Sequence, residues 1–279
     1  MLAPFLIMLR EGLEAALVVG IIAGYLKQTG RAAWLPAVWV GILLALALTL
    51  FAGAALQALS SGFPQKAQEL FEAIIGLVAV VVLTSMVFWM RKVARSIRHE
   101  LHDHIDAAFT GGRNATLALI GMAFFAVARE GLESLFFLLA IFQQSEGLAV
   151  PLGALLGLLA AAALGYGIYW GGVRLNLRLF FRWTGIFILF VAAGILAGAL
   201  RALHEAGVWN RLQATAFDAS HWLPLDSVAG SVLAGLFGYH ETPAVGEVIA
   251  YIAFLALTLP WFLWTPAPPA PSAVSGSPG

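Results

Sequence analysis

The chain contains no cysteine and few charged residues. Cysteine is absent from all 279 residues, and Asp, Glu, Lys and Arg together make up 11% of them. Without cysteine there is no disulfide and no thiolate metal ligand, so any metal must be bound by oxygen or imidazole. No P-loop pattern occurs either, and therefore no residue indicates ATP hydrolysis.

What the chain has in excess is apolar sequence. Hydrophobic residues make up 61% of it, and its mean hydropathy is +0.90, which is more than a soluble domain of this length needs for its core. This composition predicts an all-α, polytopic membrane protein. A hydrocarbon layer is about 30 Å thick. Seven apolar runs are long enough to cross it: Pro4–Leu26, Leu35–Leu59, Ala73–Met90, Ala115–Phe142, Gly147–Val173, Trp183–Leu200 and Val245–Trp264.

The first run is predicted to remain as helix 1 and not to be removed as a signal peptide. No Lys or Arg precedes it, and Arg10 interrupts it. Both features are untypical of a secretory signal, which has a basic start and an uninterrupted apolar centre.

Basic residues are concentrated in the odd-numbered connections between these runs. They are Lys27, Arg31, Arg91, Lys92, Arg95, Arg98, Arg113, Arg174, Arg178 and Arg182. The N-terminus and the even-numbered connections carry only Lys66, Arg201 and Arg211. By the positive-inside rule, the N-terminus faces outward and the C-terminus faces the cytoplasm. The outer face is then acidic and would concentrate cations, although the positive-inside bias alone gives any membrane protein such a face.

One charged pattern occurs twice inside apolar sequence. Arg10-Glu11-Gly12-Leu13-Glu14 recurs without change as Arg129-Glu130-Gly131-Leu132-Glu133, 119 residues later. Six unpaired charges in lipid would cost on the order of 15–20 kcal/mol, so something must pair them. Each copy lies in the first helix of a unit of three helices. Because the chain crosses the membrane an odd number of times between the copies, the second unit has the opposite orientation in the membrane. The pattern predicts an inverted 3+3 repeat plus one additional helix, as in secondary transporters.

The predicted organisation follows from these boundaries. Residues 1–264 form a transmembrane domain, and residues 265–279 form a disordered tail. The domain divides into a first repeat (1–90), a cytoplasmic loop (91–114), a second repeat (115–203), an outer loop (204–244) and helix 7 (245–264). We expect the outer loop to be part helical and interfacial, because its tryptophans suit the headgroup level.

The repeated motif predicts a metal site. Within each copy the two glutamates are three residues apart, so their carboxylates project from nearly the same face of a helix. Each arginine is four residues from the last glutamate of its copy and can pair with it, which leaves each copy one net negative charge. The four carboxylates are those of Glu11, Glu14, Glu130 and Glu133. Convergent oxygen donors without a thiol suit a hard cation such as Fe(III), Mn(II), Mg(II) or Ca(II).

Other interpretations of these residues stay open. The arginines and glutamates could form salt bridges that lock two helices, or a proton relay. A proton-coupled exporter of Mn(II) or a similar cation fits the same ligands. A membrane-embedded di-metal carboxylate enzyme is a further alternative, but ferritin-like bundles use Glu-x-x-His, and neither copy has that histidine.

The paired motif is also the signature of a known family. The sequence resembles the oxidase-dependent iron permease family, the high-affinity iron transporters of fungi and bacteria, which carry Arg-Glu-x-x-Glu in the first and fourth helices. Both copies match without substitution. The surroundings match at Met8-Leu9, Ala126-Val127-Ala128, Glu69-Leu70-Phe71-Glu72 and Met86-Val87-Phe88-Trp89-Met90, and the resemblance covers residues 1 to about 264.

The resemblance implies a multi-pass permease of the bacterial inner membrane that imports iron, taken as Fe(III) after oxidation by a partner enzyme. It implies that the four motif glutamates are the translocating ligands and that Arg10 and Arg129 support them. The chain is then no enzyme and needs no cofactor, since iron is its substrate. A separate oxidase or periplasmic iron-delivery protein is the expected partner, with no nucleic acid, and oligomer formation stays open. Family members linked to metals such as lead leave selectivity open, and another hard divalent cation such as Mn(II) is the alternative.

Secondary candidates lie outside the motif. They are Glu69, Glu72, Glu247, His204 and Glu205. Those in helices 3 and 7 either pass cations toward the motifs or are acids favourably placed at helix N-termini. Those at the end of helix 6 are expected to line the outer vestibule. In the cytoplasmic loop, the run His99–Asp106 either receives the metal or is a solvated linker.

Overall fold

Regular structure is helical throughout the part of the chain that the structure describes. The computed structural model describes residues 2–60, 64–93, 105, 106, 109, 115–144, 148–169 and 176–264. Its helices are α1 (Leu2–Gln28), α2 (Leu35–Ser60), α3 (Gln65–Val93), α4 (Ala115–Gln144), α5 (Ala149–Tyr169), α6 (Leu177–Glu205), α7 (Val228–Phe237) and α8 (Val245–Trp264). A short 3-10 turn, Ala32–Trp34, precedes α2. The described ranges contain no strand beyond the isolated bridge between Thr215 and Ala244, so the all-helical prediction is confirmed.

Most of the long helices are apolar enough for a membrane. Five segments meet both length and hydropathy criteria for a span: Ala32–Leu59, Gln65–Trp89, Val150–Ile168, Leu179–Glu205 and Val245–Trp264. The two other long helices, α1 and α4, have 27 and 30 residues, and each carries the three charges of one motif copy. The structure is therefore that of a polytopic membrane protein.

Several helices extend beyond the apolar runs that predicted them. α3 begins at Gln65 and not at Ala73, and α6 ends at Glu205 and not at Leu200. An apolar run marks only the part of a helix that lies in hydrocarbon. Backbone hydrogen bonds continue the helix through polar turns as well, so Glu69 and Glu72 lie within α3, as predicted.

The segment predicted as an outer loop contains α7. The Ser227 hydroxyl caps the start of this helix by accepting a hydrogen bond from the Gly230 N–H at 2.9 Å. Gly238 ends it with a φ of 66°, a left-handed conformation that favours glycine. With 10 residues, α7 is too short to cross a hydrocarbon layer.

The two three-helix units pack across each other. α1 packs mainly along α5, α2 along α4, and α3 along α6. Each helix that carries a motif therefore rests against the second helix of the other unit. The main apolar core lies between α3 and α6, where Leu83, Ile188 and Leu189 are fully buried.

The interface between α1 and α5 and the interface between α2 and α4, here called the crossed interfaces, have the same register. In the first, α1 meets α5 through the pairs Gly12–Ala161 and Ala16–Gly165. In the second, α4 meets α2 through the pairs Gly131–Thr49 and Leu135–Gly53. The α4 residues lie 119 positions after their α1 counterparts, and the α5 residues lie 112 positions after their α2 counterparts. The repeat in the sequence is thus also a repeat of contacts, and small residues at these contacts let the helices approach closely.

Replacing Gly12 with alanine is expected to destabilise the interface between α1 and α5. A β-carbon at Gly12 would lie 2.6 Å from the Ala161 β-carbon, while the next atom, in Leu158, lies at 3.5 Å. Overpacking of this kind costs about 1–3 kcal/mol. Ala161→Gly removes the colliding atom, so the G12A/A161G protein should regain most of the thermal stability lost in G12A, measured by unfolding in detergent. A double variant as unstable as G12A would contradict this register.

Part of the predicted cytoplasmic loop contacts the end of α1 and the connection that follows it. Asp106 accepts a hydrogen bond from Arg31 Nη1 at 3.0 Å and one from the Tyr25 hydroxyl. Ile105 is fully buried in a cluster with residues of α1, α2 and α4. The last residue of the predicted histidine-rich run is therefore already paired. His99 to His104, like the tail from residue 265, lie outside the described residues.

Candidate metal site

Three of the four predicted carboxylates come together in the structure. Glu11 and Glu14 of α1 and Glu130 of α4 each offer an oxygen, and these oxygens lie within 4.8 Å of one another. Glu11 is 1% exposed and Glu14 is 5% exposed. The three-residue spacing sets both α1 carboxylates on one helix face, and the packing of α4 against α1 brings the third to them.

Glu133, the fourth predicted ligand, is not among the three whose oxygens lie within 4.8 Å of one another, but it interacts electrostatically with each of them. Its Oε1 accepts a hydrogen bond from Arg129 Nε at 3.0 Å, one helical turn away. Its Oε2 is buried and has no hydrogen bond. One oxygen of Glu133 is thus paired with Arg129, and the other has no hydrogen bond.

The motif residues hold all the buried side-chain polar atoms that lack a hydrogen bond among the described residues. They are both carboxylate oxygens of Glu11, one oxygen each of Glu14, Glu130 and Glu133, and Nε and Nη1 of Arg10. Burying an unpaired polar group costs about 1–3 kcal/mol, and more for a charged one. Glu14 Oε1 is ion-paired with Arg10, and the other oxygens of this group are available to a ligand of positive charge.

The two arginines have the same sequence context and different environments. Arg10 is 1% exposed, and its Nε lies 3.1 Å from Glu14 Oε1. This ion pair holds the two atoms together without a hydrogen bond between them. The Arg129 side chain is 44% exposed, and its guanidinium carbon lies 4.0 Å from the centroid of the Trp89 ring.

The secondary candidates lie outside the carboxylate group. Glu247, at the start of α8, is buried in an ion pair with Arg201 of α6, and its Oε1 accepts a hydrogen bond from Arg201 Nε at 3.2 Å. The His204 Nδ1 lies 3.1 Å from the carbonyl oxygen of Trp209. Glu69 lies beside Glu205 of α6. These contacts lie at the end of α6, and none of these side chains belongs to the three-carboxylate group.

The connection between α7 and α8 adds a histidine to that end of α6. Burial, and then the nearby Arg201 guanidinium, lower the pKa of His240 below its usual value. His240 also accepts a hydrogen bond from the Thr242 N–H at 3.3 Å. We therefore expect this imidazole to be neutral at physiological pH.

Two residues at the site were not predicted from the sequence. Trp89 contacts Arg129, and Thr49 approaches the motif glycine Gly131, where a β-carbon would lie 2.5 Å from the Thr49 hydroxyl oxygen. Both come from helices that carry no motif. Their contacts depend on which helices are neighbours, and local spacing carries no signal of that.

Helices that can span a membrane and a buried group of carboxylates between them define a multi-pass membrane protein with a carboxylate cluster in its interior. Residues 1–264 match the Iron permease FTR1 family, and the chain belongs to that family. The family predicted from the paired motif is thereby confirmed, and with it the function of an iron permease. It is a family of permeases and not of enzymes.

Curated relatives match over nearly the whole chain. The ferrous iron permease EfeU of Yersinia pestis is 54% identical over 277 residues, which cover 99% of this chain and 98% of that protein. EfeU of Escherichia coli O6:K15:H31 is 55% identical over 266 residues, 95% of this chain and 96% of that protein. EfeU of Escherichia coli O157:H7 is similar to the same extent. No solved structure matches the chain.

Proposed function

We propose that this iron permease carries its cation through the carboxylate group of Glu11, Glu14 and Glu130, with Glu133 joining as a fourth ligand. The observation that supports this most is that every buried side-chain oxygen without a hydrogen bond in the described ranges belongs to these four glutamates. A cation supplies the partner that they lack, and carboxylate oxygens suit iron. When all are ionised, the four glutamates exceed the two arginines by two charges.

We infer that Fe(II) is the species carried. The relatives are named for ferrous iron, whereas the resemblance on which the sequence analysis relied implied Fe(III) produced by a partner oxidase. Carboxylate oxygens bind both ions and Mn(II), so the ligand set alone does not separate them. A separate oxidase or periplasmic delivery protein stays a proposal for the Fe(III) case.

The proposed topology has seven spans, made by α1 to α6 and α8, in a bacterial inner membrane. The N-terminus faces outward, the C-terminus faces the cytoplasm, and the second unit (115–203) is inverted relative to the first (1–90). Support comes from the equal register of the two crossed interfaces and from the basic odd-numbered connections. Residues 91–114 and 265–279 are then cytoplasmic, and 204–244 lie outside.

In this topology the outer acids collect the cation. Glu72 interacts electrostatically with Glu69 and Glu205, and this acidic end raises the local cation concentration. Glu247 and His204 are proposed to contribute at the same end. The cation then exchanges water for the motif carboxylates, and movement of one unit against the other exposes it to the cytoplasm, as in other inverted-repeat transporters.

Uptake of radioactive iron into proteoliposomes tests this proposal. We expect Fe(II) to accumulate inside vesicles that contain the purified protein, with Fe(III) and Mn(II) compared in parallel vesicles and each measured with and without a pH gradient. Preference for Fe(III) would reverse the assignment of the cargo. Efflux of Mn(II) without uptake of iron would contradict the importer and favour an exporter.

A further inference from the structure

We propose that Trp89 is a positioning residue for transport: it holds the Arg129 guanidinium aside so that Glu133 is free to join the cation. The proposal rests on the cation role of the motif glutamates given above. Trp89 is on α3, which carries no motif, and the assignment comes from the contacts that α3 makes with α4.

Arg129 contacts two partners at once, a carboxylate and an aromatic ring. Its Nε donates to Glu133 Oε1 at 3.0 Å, while its guanidinium carbon lies 4.0 Å from the Trp89 ring centroid. That distance is well within the range in which a cation is attracted to the face of an aromatic ring. The guanidinium therefore keeps a favourable contact when its carboxylate partner leaves.

The second motif copy is the one that has room to rearrange. The Arg10 side chain is 1% exposed, whereas the Arg129 side chain is 44% exposed and that of Glu133 is 16% exposed. The interior is close-packed around the first copy, so Arg10 and Glu14 must stay where they are. Glu133, with one oxygen paired and one unpaired, is the carboxylate that can exchange an arginine for a cation.

Without Trp89, the Arg129 guanidinium would compete with the cation for the remaining carboxylates. When Glu133 turns to the cation, the freed guanidinium would lie near the negative charges of Glu130 and Glu14 and would compete with the cation for them. A guanidinium stacked on an aromatic face is held away from those oxygens. A cation–π contact that is partly shielded from water changes such an equilibrium by about three- to tenfold.

The test compares two substitutions of Trp89 in Fe(II) uptake by proteoliposomes. Trp89→Leu keeps an apolar side chain and removes the ring, and it should raise the KM about three- to tenfold with kcat within about twofold of the parent. Trp89→Phe keeps a ring face and should stay close to the parent. Trp39→Leu is the matched control, because Trp39 lies on α2 and is 61% exposed, and it should change neither constant.

Three results would overturn the proposal. The first is a Trp89→Leu protein that transports like Trp39→Leu. The second is an equal loss in Trp89→Phe and Trp89→Leu, which would mean that only the indole shape matters. The third is a fall in kcat and in thermal stability at unchanged KM, which would indicate a structural role.

Anaerobic Fe(II) titration of the purified Glu130→Gln protein separates this proposal from the site itself. If Glu130→Gln binds Fe(II) like the parent, the carboxylate site is wrong and the role of Trp89 falls with it. If Glu130→Gln loses binding and Trp89→Leu does not, the site stands and only the positioning role of Trp89 is wrong.

Discussion

Iron uptake is expected to fall to background when Glu130 is replaced with glutamine. The amide has the same shape, but it removes one of the three carboxylates whose oxygens lie within 4.8 Å of one another. Losing a residue that merely orients a metal ligand lowers metal affinity about 10- to 100-fold, so losing a ligand should cost more. The measurement is Fe(II) accumulation in proteoliposomes, with the amount of inserted protein determined in the same vesicles.

Asp226→Asn is the matched control for that experiment. It makes the same change from carboxylate to amide on an exposed residue just before α7, and uptake should be unchanged. Normal uptake by Glu130→Gln would show that the site does not need its third carboxylate. A loss of uptake in both variants would mean that negative charge in general, and not ligation, limits transport.

Replacing Arg10 with methionine is expected to destabilise the protein far more than replacing Arg129. Arg10 is 1% exposed beside two buried glutamates, and removing one partner of a buried ion pair typically costs about 3–5 kcal/mol. The Arg129 side chain is 44% exposed, so protein atoms enclose its ion pair less completely and its removal should cost less. Methionine fills much of the space of either arginine. The difference in stability between the two variants therefore comes from loss of the charge and not from a cavity.

Thermal unfolding in a mild detergent measures this difference. Arg10→Met should lower the midpoint by several degrees more than Arg129→Met and should reduce the yield of inserted protein. Equal shifts for the two variants would contradict the difference in burial. A normal midpoint in both would mean that protonated carboxylates, and not the arginines, balance the charge in the membrane.

The parts of this structure that depend on local sequence were predictable. The helices follow from apolar runs, and the shared face of Glu11 and Glu14 follows from their three-residue spacing. The contact between α1 and α4 was predictable as well. Charged residues in lipid are costly unless they face the interior of the bundle and find polar partners there, and each motif helix offers such partners to the other. These three inferences suffice for a helical bundle with a buried carboxylate group.

The difference between the two motif copies was not predictable, because their sequences are identical. It comes from the neighbours: Ala161 lies beside Gly12, while Thr49 lies beside Gly131 and Trp89 lies over Arg129. Those neighbours are on other helices, and only the packing decides which ones they are. Glu247 is a similar case. The sequence places this acid at the start of a helix, but it does not reveal the ion pair with Arg201 on another helix.

The crossed packing of the two units has a consequence for synthesis. α1 rests on α5 and α2 rests on α4, so neither unit can complete its contacts before the other exists. A ribosome adds about 5–20 residues per second, and the charges of α1 therefore wait many seconds in the membrane for the helices that will enclose them. During that interval the nascent chain depends on the insertion machinery, or on water and lipid headgroups, to shield Arg10 and its two glutamates.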